Sequence, residues 1–307
     1  MAPTGPIRII EVGPRDGLQN EPRPIPTETK IAFINALSES GVGEIEAGAF
    51  VSPRAVPQLA DSDEVFHRIE RRPGVTYSAL VPNERGLDRA RAAGVGKIAV
   101  FTAASETFVR KNINATIQES LERFAPVVKA AQQDRLATRG YVSTAVVCPY
   151  EGRIAPASVL DVMRRLLDLG VQEISLGDTI GKASPADVRK LLDAVLPRIN
   201  GADLSLHFHD TYGMAVANVL TAWQEYGITA FDSSAGGLGG CPYAPGASGN
   251  VATEDLVYAL HASGATVNVN GSAVLEAARH LSADLGHPLM SRLSRIRDAG
   301  MPQEVER

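Results

Sequence analysis

The sequence has few of the features that mark secreted, membrane-spanning or nucleic-acid-binding chains. It carries two cysteines, Cys148 and Cys241, in 307 residues. Two thiols cannot build a disulfide framework for a chain of this size, so a reducing compartment is the expectation. No apolar run reaches the length of a membrane-spanning helix. No lysine or arginine run occurs, and 30 basic against 35 acidic side chains leave a net charge of −5, which argues against a polyanionic partner. The opening "MAPTGPIRII" lacks the basic and apolar regions of a secretory leader, and the closing "QEVER" is no peroxisomal address. These absences together predict a cytoplasmic protein with neither membrane nor nucleic acid as partner. The GxGxxG turn of dinucleotide-binding sheets is also missing after the first strand candidate.

What the chain does have is a regular alternation. Short runs rich in Val, Ile and Ala stand at 7–12, 43–48, 75–80, 97–102, 140–147, 172–177, 204–209 and 228–234, each followed by a longer amphipathic stretch. In "TETKIAFINALSESG", Thr27 is placed to cap the first turn of a helix and Gly41 to end the last. In "SPADVRKLLDAVLPRI", Ser184 stands at the N-cap position with Pro185 in the first turn. Eight β–α units in a chain of this length, with no linker-like shift in composition, predict a (β/α)8 TIM barrel rather than a doubly wound sheet. One domain is expected: a barrel over about 7–262 and a helical extension over about 263–307.

A barrel of this kind carries its chemistry at the C-terminal ends of the strands. The polar residues at those ends are Arg15, Asp16, Gln19, Glu46, Asp178, Thr179, His207, His209 and Asp210. In "HFHD", His207 and His209 are two apart on one strand and therefore face the same way. A lone strand histidine is ordinarily a hydrogen-bonded core residue, but two imidazoles on one face at a strand end suit a divalent metal. Asp16, after the first strand, becomes a neighbour of the late strands once the barrel closes. Imidazole and oxygen donors of this sort suit Mg, Mn, Co or Zn.

In "EVGPRDGLQNE", Gly13, Pro14 and Gly17 predict a sharp turn with Arg15 and Asp16 at its tip. The plain reading is a solvated ion pair. The functional one is a metal carboxylate beside a planar cation able to neutralise an oxyanion. The glycine-rich "AGGLGGCPYAPGASGN" (235–250) predicts a long loop after the eighth strand, with Cys241 positioned to exchange a proton over a site. Cys148 reads as a small core residue at the end of an apolar strand.

Taken together, "EVGPRDGLQNE", "FVSPRAVPQLAD", "RKNINATIQES", "CPYEG", "EISLGDTIG", "HFHDTYG" and "GGLGGCPYAPGASGNVATEDLVY" resemble the 3-hydroxy-3-methylglutaryl-CoA (HMG-CoA) lyase family, metal-dependent barrels related to isopropylmalate and homocitrate synthases. The resemblance runs in order from Glu11 to Tyr258. The cysteine-containing loop with "ASGN" is particular to the lyase branch, and the synthases share only "RDG", "DTIG", "H-x-H-D" and the later Asn. The resemblance implies Asp16, His207, His209 and Asn250 as divalent-metal ligands, Arg15 as the cation on the enolate, Cys241 as a mobile-loop thiol, and Glu46 and Asp178 as further acidic active-site residues. It also implies an acyl-CoA substrate and a retro-Claisen cleavage to acetyl-CoA and a ketoacid. Metal and Arg15 would then stabilise opposite ends of the developing charge, and Asp178 or a histidine-linked group is the candidate base. The same chemistry on citramalyl-CoA or a longer hydroxyglutaryl-CoA is the alternative. A condensing synthase, and a scaffold that keeps the barrel but not the chemistry, are the other rivals. A homodimer is the expected assembly.

The chain departs from the family pattern at "IEAGAF", where the family has Thr-Ser at the positions of Gly48 and Ala49. Two hydroxyls expected to face the acyl chain are absent, so a differently shaped acyl pocket is predicted. Phe208 stands between the histidines, where the family often has Cys, and is expected to point away from the mouth.

Overall fold

Every one of the eight strand runs forms a barrel strand in the structure, a computed structural model that describes residues 5–199, 203–239 and 249–299. They are β1 (Arg8–Glu11), β2 (Glu44–Ala49), β3 (Thr76–Leu80), β4 (Lys97–Ala103), β5 (Ala137–Ser143), β8 (Glu173–Asp178), β9 (Asp203–Phe208) and β10 (Ala230–Ser233). Between β5 and β8, β6 (Val147–Cys148) and β7 (Gly152–Arg153) make a small antiparallel hairpin. The barrel closes in the order β1-β10-β9-β8-β5-β4-β3-β2, and its paired strands are parallel. It is a TIM barrel with helices wrapped around it.

The fifth strand differs from its expected span of 140–147. It begins at Ala137 and ends at Ser143, because Thr144 takes a left-handed φ of 54° and turns the chain out of the sheet. Cys148, on the hairpin, is buried as expected, 3.1 Å from Ser105 Oγ. Thr27 does not cap its helix. The helix Thr27–Ser38 starts after Pro26, and the Thr27 hydroxyl donates instead to Asp61 at 2.8 Å. Ser184 does cap, in a reciprocal box with Asp187.

Strand parity divides the barrel into two cores. On β9, Leu204, Leu206 and Phe208 join the apolar layer under the helices, while Ser205 and His207 face the barrel axis. The apolar layer is continuous around the barrel. The axis is partly ionic. Lys97 Nζ lies 2.9 Å from Glu44 and 2.7 Å from Glu173, Arg139 Nε lies 3.0 Å from Glu173, and Arg139 Nη2 pairs with Asp232. Among the described residues, Ile10, Val12 and Ala230 form a small separate apolar cluster there. Charges buried this deeply are held by mutual pairing, and removing one partner strands the other.

The C-terminal extension contains the helices Gly271–Arg279, Ser282–Leu285 and Arg292–Asp298. It is fastened to the C-terminal end of the barrel: Met290 N donates to Gly236 O at 2.8 Å, and Arg292 Nη1 to Asp210 Oδ2 at 3.0 Å. Among the described residues, no helix is long and apolar enough to cross a membrane.

Candidate metal centre at the barrel mouth

After β1 the chain makes one wide helical turn, Gly13–Gly17, in which Gly17 N reaches back to Val12 O at 3.1 Å. Such five-residue turns recur at functional sites because they redirect side chains. Gly17 is needed for this approach, since a Cβ there would stand 2.8 Å from Ser234 Oγ and 2.9 Å from Leu238 Cβ. The turn delivers Arg15 and Asp16 to the mouth, as the sequence predicts.

Asp16, His207 and His209 each present a ligand atom within 4.8 Å of the others. β9 supplies His207 at its last inward position, and His209 follows two residues on, just past the strand's end. Asn250 joins through the backbone: His209 and Asn250 form an antiparallel bridge, and Asp210 N donates to Gly249 O at 2.7 Å. Asn250 Nδ2 then donates to Asp16 Oδ2 at 2.9 Å.

The donor set fits a divalent cation. His209 Nδ1 and Asn250 Oδ1 are buried and have no hydrogen-bond partner among the described residues, a costly arrangement that a cation would relieve. His207 Nε2 lies 3.9 Å from Asp16 Oδ2 without a direct bond. Burial, reinforced by the charge of His207, pushes His209 down to about 4, so it stands as the neutral imidazole a metal requires. Burial works against ionisation of Asp16, but Arg15 and the two histidines outweigh it and bring the carboxyl down to about 2. Asp16 is therefore ionised at neutral pH, as a metal-binding carboxylate must be.

Arg15 is locked in place. Its Nε donates to Glu46 Oε2 at 2.5 Å and its Nη1 to Asp16 Oδ1 at 2.6 Å. Tyr141, inward on β5, donates its hydroxyl to Glu46 Oε2 at 3.1 Å and lies between two guanidiniums, 5.3 Å from Arg15 and 4.8 Å from Arg139. Burial disfavours the Arg15 charge, but Glu46 and Asp16 more than offset it and keep the guanidinium protonated. Gln19 Nε2 closes the group with a 2.7 Å bond to Asp16 Oδ1.

Asp178 takes a different position. It falls on the parity of Ile174 and Leu176, and its two oxygens accept from Lys182 N at 3.2 Å and Ala183 N at 2.9 Å. Burial pushes it up to about 6, against the pull of those two amides. The contacts hold the loop after β8 in place. Cys241 lies outside the described residues. Sequence reasoning missed Tyr141, Arg139 and Asp232, each marked only by inward parity on its strand.

Gly48 corrects one expectation. It faces the helix Ser62–Arg68, where a Cβ would stand 2.7 Å from Ser62 Oγ and 3.5 Å from Phe66, so position 48 packs outside the barrel rather than lining an acyl pocket. Ser62 Oγ accepts from Ala49 N at 3.1 Å and occupies that space with its own hydroxyl. Phe208 points outward as expected.

Comparison with known proteins agrees along the whole barrel. A hydroxymethylglutaryl-CoA lyase from Pseudomonas mevalonii is 51% identical over 93% of this chain and 95% of its own length. The crystal structure of hydroxymethylglutaryl-CoA lyase from Pseudomonas aeruginosa superposes with a TM-score of 0.94 at 48% identity, covering 98% of this chain and all (100%) of that one. An HMG-CoA lyase from Acinetobacter baumannii, solved in complex with coenzyme A and 3-methylmalate, gives 0.90 at 40% identity over 98% and 97% of the two chains. The model of the HMGL-like family matches residues 6–281. On fold, length and sequence alike, the chain belongs to the HMGL-like family.

Proposed function

We propose that this protein is a carbon–carbon lyase that cleaves HMG-CoA to acetyl-CoA and acetoacetate. The observation that carries the reading is the meeting of Asp16, His207 and His209 at one point with a fixed guanidinium, Arg15, bonded to the first of them. Half-identical relatives named for this activity support it.

In this reading Asp16, His207, His209 and Asn250 would hold a divalent cation, Mg or Mn by the family resemblance, and two imidazoles with two oxygens also suit Co or Zn. When bound, the cation supplies Lewis acidity to the substrate's oxygens. Loss of the tertiary hydroxyl proton to a base lets that oxygen form the ketone of acetoacetate. The bond between C2 and C3 breaks, and its electron pair passes to the thioester as the enolate of acetyl-CoA. Arg15 neutralises the enolate oxygen, held for that task by Glu46 and Tyr141. Cys241, in the glycine-rich stretch 235–250 of the sequence, protonates the enolate carbon. We assign Asp178 to holding the 178–183 loop, since both of its oxygens are occupied by amides.

The barrel and its C-terminal helices are read as one working unit, acting as a homodimer. The test is product analysis. Purified protein with Mn2+ is offered HMG-CoA, citramalyl-CoA and a longer 3-hydroxyglutaryl-CoA. Acetoacetate from the first at the highest kcat/KM is expected, and preferred release of pyruvate from citramalyl-CoA would overturn the substrate assignment.

A further inference from the structure

We infer that Asp232 is a positioning residue that fixes His207 as its Nδ1–H tautomer, leaving the Nε2 lone pair for a divalent cation. The inference deepens the metal-site reading above and rests on it.

The geometry is that of a carboxylate set behind a ligand. Asp232 stands on β10 in register with His207 on β9, inward and 2% exposed. Its Oδ2 lies 3.1 Å from His207 Nδ1. A neutral imidazole has one N–H and one lone pair, and a carboxylate can only accept. The proton of His207 therefore belongs on Nδ1. Nε2, the nitrogen turned towards Asp16, is left bare.

Asp232 is itself held. Oδ1 accepts from Arg139 Nη2, and Oδ2 also accepts from Ser175 Oγ at 3.1 Å. Arg139 is among the largest fully buried side chains and is anchored by Glu173. Glu173 is bound in turn by Lys97 and by Arg8, whose side chain is 37% exposed. The ionic axis of the barrel thus ends on the ring of one metal ligand.

Asp232→Asn gives a sharp test, because it replaces one acceptor by a donor. A guanidinium only donates, so Arg139 must keep the amide oxygen. The amide NH2 then faces His207 Nδ1 and is satisfied only by the opposite tautomer, whose proton sits on Nε2. Carboxylates behind metal-bound histidines are typically worth about 10–100-fold in metal affinity.

The experiment has two arms. Metal-free protein with 15N-labelled histidine is examined by NMR at alkaline pH, with His207→Gln identifying the His207 signals. Wild type is expected to show His207 protonated on Nδ1, and a ring protonated on Nε2 or evenly mixed overturns the inference. Mn2+ binding is then titrated in wild type, Asp232→Asn and Ser205→Ala. Ser205 bonds Arg139 and Glu173 without touching His207. Asp232→Asn is expected to reverse the tautomer and weaken Mn2+ binding about 10–100-fold. Ser205→Ala should keep the wild-type tautomer and affinity. A folded Asp232→Asn protein that binds Mn2+ as wild type does overturns the inference. Should Asp232→Asn not fold, the wild-type tautomer decides alone. Wild type that binds no Mn2+ overturns the metal reading itself, whereas wild type that binds Mn2+ with His207 protonated on Nε2 overturns only the role of Asp232.

Discussion

Arg15 divides one guanidinium between two carboxylates, with Nε on Glu46 at 2.5 Å and Nη1 on Asp16 at 2.6 Å. The cation proposed to meet the enolate is thereby tied to the carboxylate proposed to meet the metal. Arg15→Lys keeps the charge but cannot hold both partners in one plane. Turnover should fall roughly 10²-fold or more, comparable with losing an oxyanion donor, while Mn2+ affinity changes little. Steady-state kinetics beside a Mn2+ titration measure both, and equal turnover would show that Arg15 is not aimed at the oxyanion.

Tyr141 touches both that guanidinium and its carboxylate partner. Its hydroxyl donates to Glu46 Oε2 at 3.1 Å, and its ring lies beside Arg15. Tyr141→Phe keeps the ring and loses the bond. A hydrogen bond to a charged group is worth about 1.5–3 kcal/mol, so kcat should fall by roughly tenfold or more with KM little changed. Unchanged kcat would mean that Glu46 holds Arg15 unaided.

The strands and their order of use were legible because each strand run is short and apolar and stands before an amphipathic stretch. His207 and His209 were legible because parity two brings strand neighbours to one face. Arg139 was not. The expected fifth strand began at Gly140, one residue too late to include it, yet Arg139 is buried on the barrel axis against Asp232 and Glu173. Only the closed barrel brings those three strands together. Asn250 was legible by resemblance alone, because its place depends on a bridge to His209, 41 residues earlier in the sequence.

The departure at Gly48 is a packing matter. Gly48→Thr would drive a Cβ to 2.7 Å from Ser62 Oγ, and overpacking of this kind typically costs about 1–3 kcal/mol. Denaturant unfolding should show that loss, with the ranking of acyl-CoA substrates unchanged. A changed ranking without loss of stability would return position 48 to the acyl pocket.

Glu11 sets a pH dependence on stability. It accepts from Gly13 N at 2.7 Å, Ala235 N at 3.0 Å and Thr253 Oγ1 at 2.6 Å, and burial raises it from 4.5 to about 7 against those bonds. Its folded form binds a proton more tightly than its unfolded form does. The stability it contributes is therefore complete below about pH 4.5 and is lost as the pH rises through about 7. Glu11→Gln, neutral at every pH, should flatten the decline in unfolding free energy over that window. An unaltered slope would show that Glu11 does not titrate there.

The most direct measurement takes protein stripped of metal by a chelator and follows acetoacetate release from HMG-CoA as Mn2+ is returned. The expected result is no turnover without metal, full recovery at one ion per chain, and no recovery in His209→Ala despite a native fold. Turnover in the stripped protein equal to that of the reloaded one would contradict a metal-dependent lyase built on Asp16, His207 and His209.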